Sequence, residues 1–178
     1  MKILVTAVVL PFLLAGCLGY TIGPAKPNYL SNVHTIAIPT FKNDTLLPRI
    51  EVLVTDTVIK QFQQDGTFKI GNESNSDAIL KAEISRVSRL PARSARGNVL
   101  ATTEFILAMR VKYRLVGSDG KTIGPPGEVQ GTTSFFRGSD ALTDNPQAFD
   151  VQTNERQALP LAAEELASHL VTQLSEGW

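Results

Sequence analysis

The sequence contains few side chains that could perform catalysis. Its one cysteine, Cys17, and its two histidines, His34 and His169, leave no thiolate or imidazole cluster for a metal and no disulfide framework. It has no phosphate-binding or dinucleotide-binding glycine motif, and Ser139 lacks the glycine frame of a nucleophile elbow. We therefore expect a non-enzymatic protein that holds no metal and no cofactor.

Basic side chains in the middle of the chain show the clearest pattern. Seven cations and a single acid, Glu104, occur between residues 86 and 114. The cations are Arg86, Arg89, Arg93, Arg96, Arg110, Lys112 and Arg114. Arginine forks match the geometry of phosphate groups, so this stretch could bind a phosphate-bearing ligand. The alternative is an ordinary solvated surface.

The overall charge balance restricts how such a ligand could be bound. Lysine and arginine number 17, aspartate and glutamate also number 17, and the 178-residue chain has no formal net charge. We therefore expect no nucleic-acid partner, because a polyanion binder of that kind is usually basic as a whole. After residue 118 nine acids face three bases, so the basic region is local.

The N-terminus is typical of an export signal. Lys2 precedes the twelve-residue apolar run Ile3–Leu14, which is shorter than the roughly 20 residues of a spanning helix but fits a signal peptide. The run ends in Leu14-Ala15-Gly16-Cys17, which resembles the bacterial lipobox. That resemblance implies that residues 1–16 are removed and that Cys17 is acylated, and stable anchoring takes at least two lipid chains. The alternative is a plain signal peptide with a chance cysteine at its cleavage site.

Two amphipathic helices and several strands must position the basic residues. Apolar side chains at helical spacing predict helices over residues 48–65 and 151–175, and Pro160 predicts a boundary or kink in the second. We predict strands at residues 33–41, 67–70, 77–87, 104–116 and 128–136. The sequence predicts a bend or loop at residues 86–99 and a flexible connection at residues 117–127.

The strand at 104–116 places three of the cations in one row. Its apolar side chains alternate with Arg110, Lys112 and Arg114, so these cations share a face and lie about 7 Å apart. Together with three arginines on the neighbouring loop, they form the candidate phosphate-binding set. The six residues are Arg89, Arg93, Arg96, Arg110, Lys112 and Arg114.

The order of the elements predicts an α+β fold. Two amphipathic helices and a sheet with one apolar face form a two-layer sandwich, with a mixed sheet of four or five strands. We expect the first strand and the strand after the first helix to be parallel, and the later strands to be antiparallel. Residues 17–32 read as a lipidated tether, and residues 33–178 read as one domain.

Several motifs then resemble those of the LptE family of lipopolysaccharide-assembly lipoproteins. The most specific stretch is Pro39-Thr40-Phe41-Lys42-Asn43-Asp44-Thr45, which is followed by Pro48-Arg49-Ile50-Glu51 at the start of a helix. The lipobox, Cys17-Leu18-Gly19-Tyr20, Ser76-Asp77-Ala78-Ile79-Leu80 and a closing helix complete the pattern. Leu18 and Pro160 depart from it.

The resemblance implies a fold, a location and partners. The family fold is two helices on a four-stranded mixed sheet. The implied protein is anchored through Cys17 at the periplasmic face of the outer membrane, where it plugs the β-barrel LptD and helps to assemble it. It would bind lipopolysaccharide, and the charge pattern leads us to expect that the six basic residues contact the phosphate groups of this lipid. The sequence leaves open a second function, as an auxiliary lipoprotein of another envelope lipid transporter or secretion pore.

Overall fold

A computed structural model describes residues 26–95, 98–137 and 148–177. Within these ranges a short 3₁₀ turn, Asn28–Leu30, precedes six strands and two helices. The strands are β1 (Thr35–Ala37), β2 (Lys42–Asn43), β3 (Lys69–Gly71), β4 (Ala78–Ala95), β5 (Asn98–Gly117) and β6 (Thr122–Phe136). The helices are α1 (Ile50–Asp65) and α2 (Ala148–Glu176).

All six strands belong to one mixed sheet. The order is β3-β1-β4-β5-β6, and β2 pairs with β4 beside β1. Strand β1 is parallel to β3 and β4, and β2 is parallel to β4, whereas the pairs β4–β5 and β5–β6 are antiparallel. The predicted α+β class and the predicted strand directions are confirmed. The sheet has one strand more than the five predicted, because β2 (Lys42–Asn43) follows the first predicted strand, of which Thr35–Ala37 forms β1.

The two helices cover one face of this sheet. Helix α2 lies over β5 and β6, and α1 packs beside α2. Phe62, Leu107 and Leu166 are all fully buried in the single core between the layers. The core extends back to Leu30, which is fully buried although it falls in the range 17–32 predicted as tether.

Both helices agree with their predicted positions. Helix α1 ends at Gly66, whose φ of 72° allows its N–H to donate to Phe62 O at 3.0 Å. Helix α2 contains Pro160, and the predicted boundary does not occur there, since the helix continues to Glu176.

The predicted loop at residues 86–99 is wrong for the part of it that the structure describes. Strand β4 continues to Ala95, and β5 begins at Asn98. Pro91 is tolerated because the described residues place only β5 beside this part of β4, so its missing N–H interrupts no second ladder. The predicted connection at 117–127 is also shorter, because β6 begins at Thr122.

Candidate functional site: the exposed face of the sheet

The three cations of β5 project from the sheet face opposite the helices, as their alternation predicts. Arg110, Lys112 and Arg114 are exposed, whereas the intervening Val111 and Tyr113 are buried. The sheet therefore presents a basic row to solvent while the same strand forms part of the core.

Neighbouring strands give these three cations different surroundings. Arg110 Nε lies 3.2 Å from Glu128 Oε1, and its Nη2 donates to Gln130 Oε1 at 2.9 Å. Arg114 instead lies directly opposite Lys81 in the register of β4 and β5. Arg110 therefore already has acceptor partners, whereas Arg114, at the other end of the row, faces a second cation.

A shallow depression of about 390 Å³ lies at that other end. Its charged lining comes from three strands and comprises Lys42, Lys81, Glu83, Lys112 and Arg114. Glu83 is the only acid among these residues, and its Oε2 lies 3.4 Å from Lys42 Nζ. Lys42, Lys81 and Glu83 were absent from the predicted set, because placing them beside the row requires the pairing of strands that are distant in sequence.

Arg89 and Arg93, which were predicted on a loop beside the row, lie on strand β4 instead. A β-bulge between Ile84 and Arg86 shifts the alternation of β4, so that Arg89 lies on the helix side of the sheet. There its Nη1 lies 3.1 Å from Glu155 Oε2 of α2. Arg93 stays exposed, with its Nε 3.5 Å from Glu104 Oε2.

Two of the predicted site residues, Arg96 and Cys17, lie outside the described residues. Among the other members of the predicted phosphate-binding set, the structure brings Arg110, Lys112 and Arg114 together on one face. It places Arg89 on the other face of the sheet.

The most specific family motif is a structural turn in this protein. Asn43 Nδ2 donates to Leu47 O at 2.8 Å and to Glu51 Oε2 at 2.9 Å. Its Oδ1 accepts from Thr45 N at 2.9 Å and from Thr45 Oγ1 at 2.7 Å. Phe41 N donates to Thr55 Oγ1 at 3.0 Å. The motif thus stabilises the turn between β2 and α1, and it presents no reactive group.

Two groups of the described residues have pKa values that depart clearly from the usual range, and structure explains both. Hydrogen bonds from the backbone N–H groups of His34 and Thr35 hold the pKa of Asp77 below its usual value. Burial, with a smaller contribution from Tyr29, raises the pKa of Tyr113 to about 12. Tyr113 Oη donates to Gln173 Oε1 at 2.8 Å, so it serves packing between β5 and α2.

The described part of the chain contains no cluster of three or more His, Cys, Asp or Glu residues that could hold a metal ion. None of its helices is both long and apolar enough to span a bilayer.

Comparison with solved structures places the fold among bacterial lipoproteins. A minor lipoprotein from Acinetobacter baumannii aligns with a TM-score of 0.52 and 15% identity, over 80% of this chain and 91% of that one. Lipoprotein B from Nitrosomonas europaea aligns at 0.51 and 13%, over 90% and 94%. The PelC dodecamer from Paraburkholderia phytofirmans gives 0.51 and 14%, over 88% and 95%. At these identities the likeness concerns the fold alone.

The chain thus has the two-layer α+β fold that several bacterial lipoproteins share. The family model LptE, described as lipopolysaccharide-assembly, matches residues 33–174. The chain belongs to the LptE family of lipopolysaccharide-assembly lipoproteins, which confirms the resemblance seen in its motifs. A comparison of its sequence with functionally characterised proteins gives no match.

Proposed function

We propose that this protein is the lipoprotein subunit of the outer-membrane lipopolysaccharide translocon. In this role it sits inside and beside the β-barrel LptD, helps the barrel to assemble and binds lipopolysaccharide during insertion into the outer leaflet. The family match over residues 33–174 carries the proposal. The role is non-enzymatic, as membership of the family implies.

Anchoring through Cys17 follows from the lipobox. We infer that residues 1–16 are removed and that acylated Cys17 holds the domain at the periplasmic face of the outer membrane. Eight residues, 18–25, separate Cys17 from the first described residue. Fully extended, they span at most roughly 30 Å, so the domain stays close to the membrane surface.

Lipopolysaccharide carries phosphate groups that suit the basic residues of the sheet. Arg110, Lys112 and Arg114 are exposed and share one face, which supports binding by the middle of this sheet. Arg93 is exposed too, whereas Arg89 is engaged with Glu155 on the other side. We therefore place the main contacts on β5 and keep Arg89, Arg93 and Arg96 as secondary candidates.

Affinity purification of the tagged, full-length lipoprotein from outer membranes tests the proposed role. In mild detergent we expect LptD to co-purify in near-stoichiometric amount and to be identified by mass spectrometry. The same tag on an unrelated outer-membrane lipoprotein is the control and should not retain LptD. Recovery with a different transporter or pore instead would favour the auxiliary-lipoprotein alternative.

A further inference from the structure

The depression at the end of the basic row has the composition of an anion site. We call it the basic basin, defined by Lys42, Lys81, Lys112 and Arg114 around Glu83. Four cations and one carboxylate leave it with a formal charge of 4 − 1 = +3. We propose that the basic basin is a phosphate-binding subsite. The proposal rests on the function above only for the identity of the molecule that carries the phosphate.

The basin contains cations that have no carboxylate partner within the described part of the chain. Arg89, Arg93 and Arg110 each have a carboxylate within 3.5 Å. Among the described residues, Lys81 and Arg114 have no such partner. The single acid of the basin, Glu83, is within ion-pair distance of Lys42. The basin therefore keeps positive charge, whereas the charges of Arg89, Arg93 and Arg110 are offset by adjacent carboxylates.

The strand register makes this arrangement of cations destabilising for the protein when no anion is bound. Lys81 and Arg114 are direct partners across β4 and β5. Like charges in directly opposite positions destabilise a sheet, because their Cβ atoms lie only about 5 Å apart. A bound dianion placed between the two side chains would convert this repulsion into two attractive contacts.

The spacing of the cations suits phosphate groups on a larger headgroup. Lys112 and Arg114 project from the same face about 7 Å apart, and Lys81 stands about 5 Å across from Arg114. Phosphate offers several oxygens to lysine ammonium groups and to the guanidinium fork of arginine. The depression of about 390 Å³ is open to solvent and also contacts Pro126, so it can accept a phosphate that remains attached to a sugar.

Binding measurements on the full-length protein in detergent test the basin. The double variant Lys81→Gln/Arg114→Gln removes its like-charged pair. Lys60→Gln/Lys69→Gln is the matched control, since it removes the same charge from exposed residues that do not line the basin. Each protein is titrated with lipopolysaccharide, with enzymatically dephosphorylated lipopolysaccharide and with inorganic pyrophosphate, at low and high salt.

We expect the basin variant to bind phosphorylated lipopolysaccharide at least tenfold more weakly, and the control variant to stay within twofold of the wild type. Dephosphorylated lipopolysaccharide should bind the wild type and the basin variant alike. The melting temperature of the basin variant should be unchanged or higher, because repulsion is relieved. High salt should reduce the difference, since the screening length falls from about 10 Å at 0.1 M to 3 Å at 1 M.

The outcomes separate this subsite from the proposed function. If the wild type binds pyrophosphate but no lipopolysaccharide, and the basin variant loses pyrophosphate, the subsite stands and lipopolysaccharide is the wrong carrier. If the basin variant binds phosphorylated lipopolysaccharide as tightly as the control variant does, the basin proposal is overturned while lipopolysaccharide binding remains. Failure of the wild type to bind any of the phosphate ligands also overturns it.

Discussion

Asp77 links the starts of β1 and β4, which are more than forty residues apart in sequence. Its Oδ2 accepts from His34 N at 2.9 Å, from Thr35 N at 2.8 Å and from Thr35 Oγ1 at 2.9 Å. Asp77 N in turn donates to Thr35 Oγ1 at 2.9 Å. The aspartate of the Ser-Asp-Ala motif therefore fastens one parallel strand pair, a structural role that its charge makes dependent on pH.

Replacing Asp77 with Asn should reduce the pH dependence of stability. The folded-state pKa of Asp77 is lowered, so its ionised form stabilises the fold above the unfolded pKa of about 3.9. That contribution is lost as the pH falls through the lower folded pKa. Thermal melts from pH 7 to pH 3 should show Asp77→Asn below the wild type at pH 7 and converging with it in acid. Asp56→Asn, at an exposed position of α1, is the control. A difference from the wild type that stays constant with pH would contradict this reason.

Gly131 allows α2 to approach β6 closely, and Gly131→Ala should destabilise the protein. A Cβ at residue 131 would collide with Ala162 O and lie 2.5 Å from Leu166 N. These are backbone atoms of a helix and cannot rotate away, so we expect a loss of about 1–3 kcal/mol in the free energy of unfolding. Denaturant unfolding measures it. Ser134→Ala, an exposed change in the same strand, should stay within about 0.5 kcal/mol of the wild type.

At the scale of elements, alternation along one strand was predictable from sequence, whereas the pairing of strands was not. The apolar and basic faces of β5 follow from its residues alone. The bulge after Ile84 and the opposition of Lys81 and Arg114 depend on register, which packing sets between segments remote in sequence. For this reason Arg89 was included in the predicted phosphate-binding set although it faces the helices, and Lys81 was missed.

Strand β6 is an edge of the described sheet, and side chains of α2 cover its outward backbone groups. His169 Nδ1 donates to Gln130 O at 2.8 Å, and Asn154 Nδ2 donates to Phe136 O at 2.7 Å. Glu165 accepts from Thr132 N, and also from Thr132 Oγ1. An uncovered edge offers these groups to another strand. Helix α2 therefore protects the edge as well as forming the core.

Removing this cover should make the protein self-associate through β6. In the triple variant Asn154→Ala/Glu165→Ala/His169→Ala, the outward N–H and C=O groups lose their partners and become available for strand addition. Light scattering across a concentration series should show a larger species for this variant. The control Glu164→Ala/Ser168→Ala changes exposed residues of the same helix and should behave as the wild type. A triple variant with the wild-type mass at every concentration would contradict the protective role.

For the whole molecule, the fold class was predictable because each layer has an apolar face that only the other layer can cover. The helices and the sheet bury one continuous core, which includes Leu30 close to the first described residue. The packed domain thus begins shortly after the predicted anchor. In the proposed function, membrane attachment depends on Cys17 and the short segment after it.

Cys17→Ser should abolish attachment while leaving the domain folded. Serine has no thiol for the lipid, so the precursor should keep its signal and take up no fatty acid. Each methylene buried in the bilayer contributes about 0.8 kcal/mol, so losing the acyl chains removes most of the proposed membrane affinity. Metabolic labelling with a radioactive fatty acid tests this in cells, with Thr21→Ala in the same predicted tether as the control that keeps its label. Melting of the purified Cys17→Ser protein should match the wild type, because the described core begins after residue 25. Equal labelling of wild type and Cys17→Ser would show that Cys17 is not the acceptor and that the lipobox match is fortuitous.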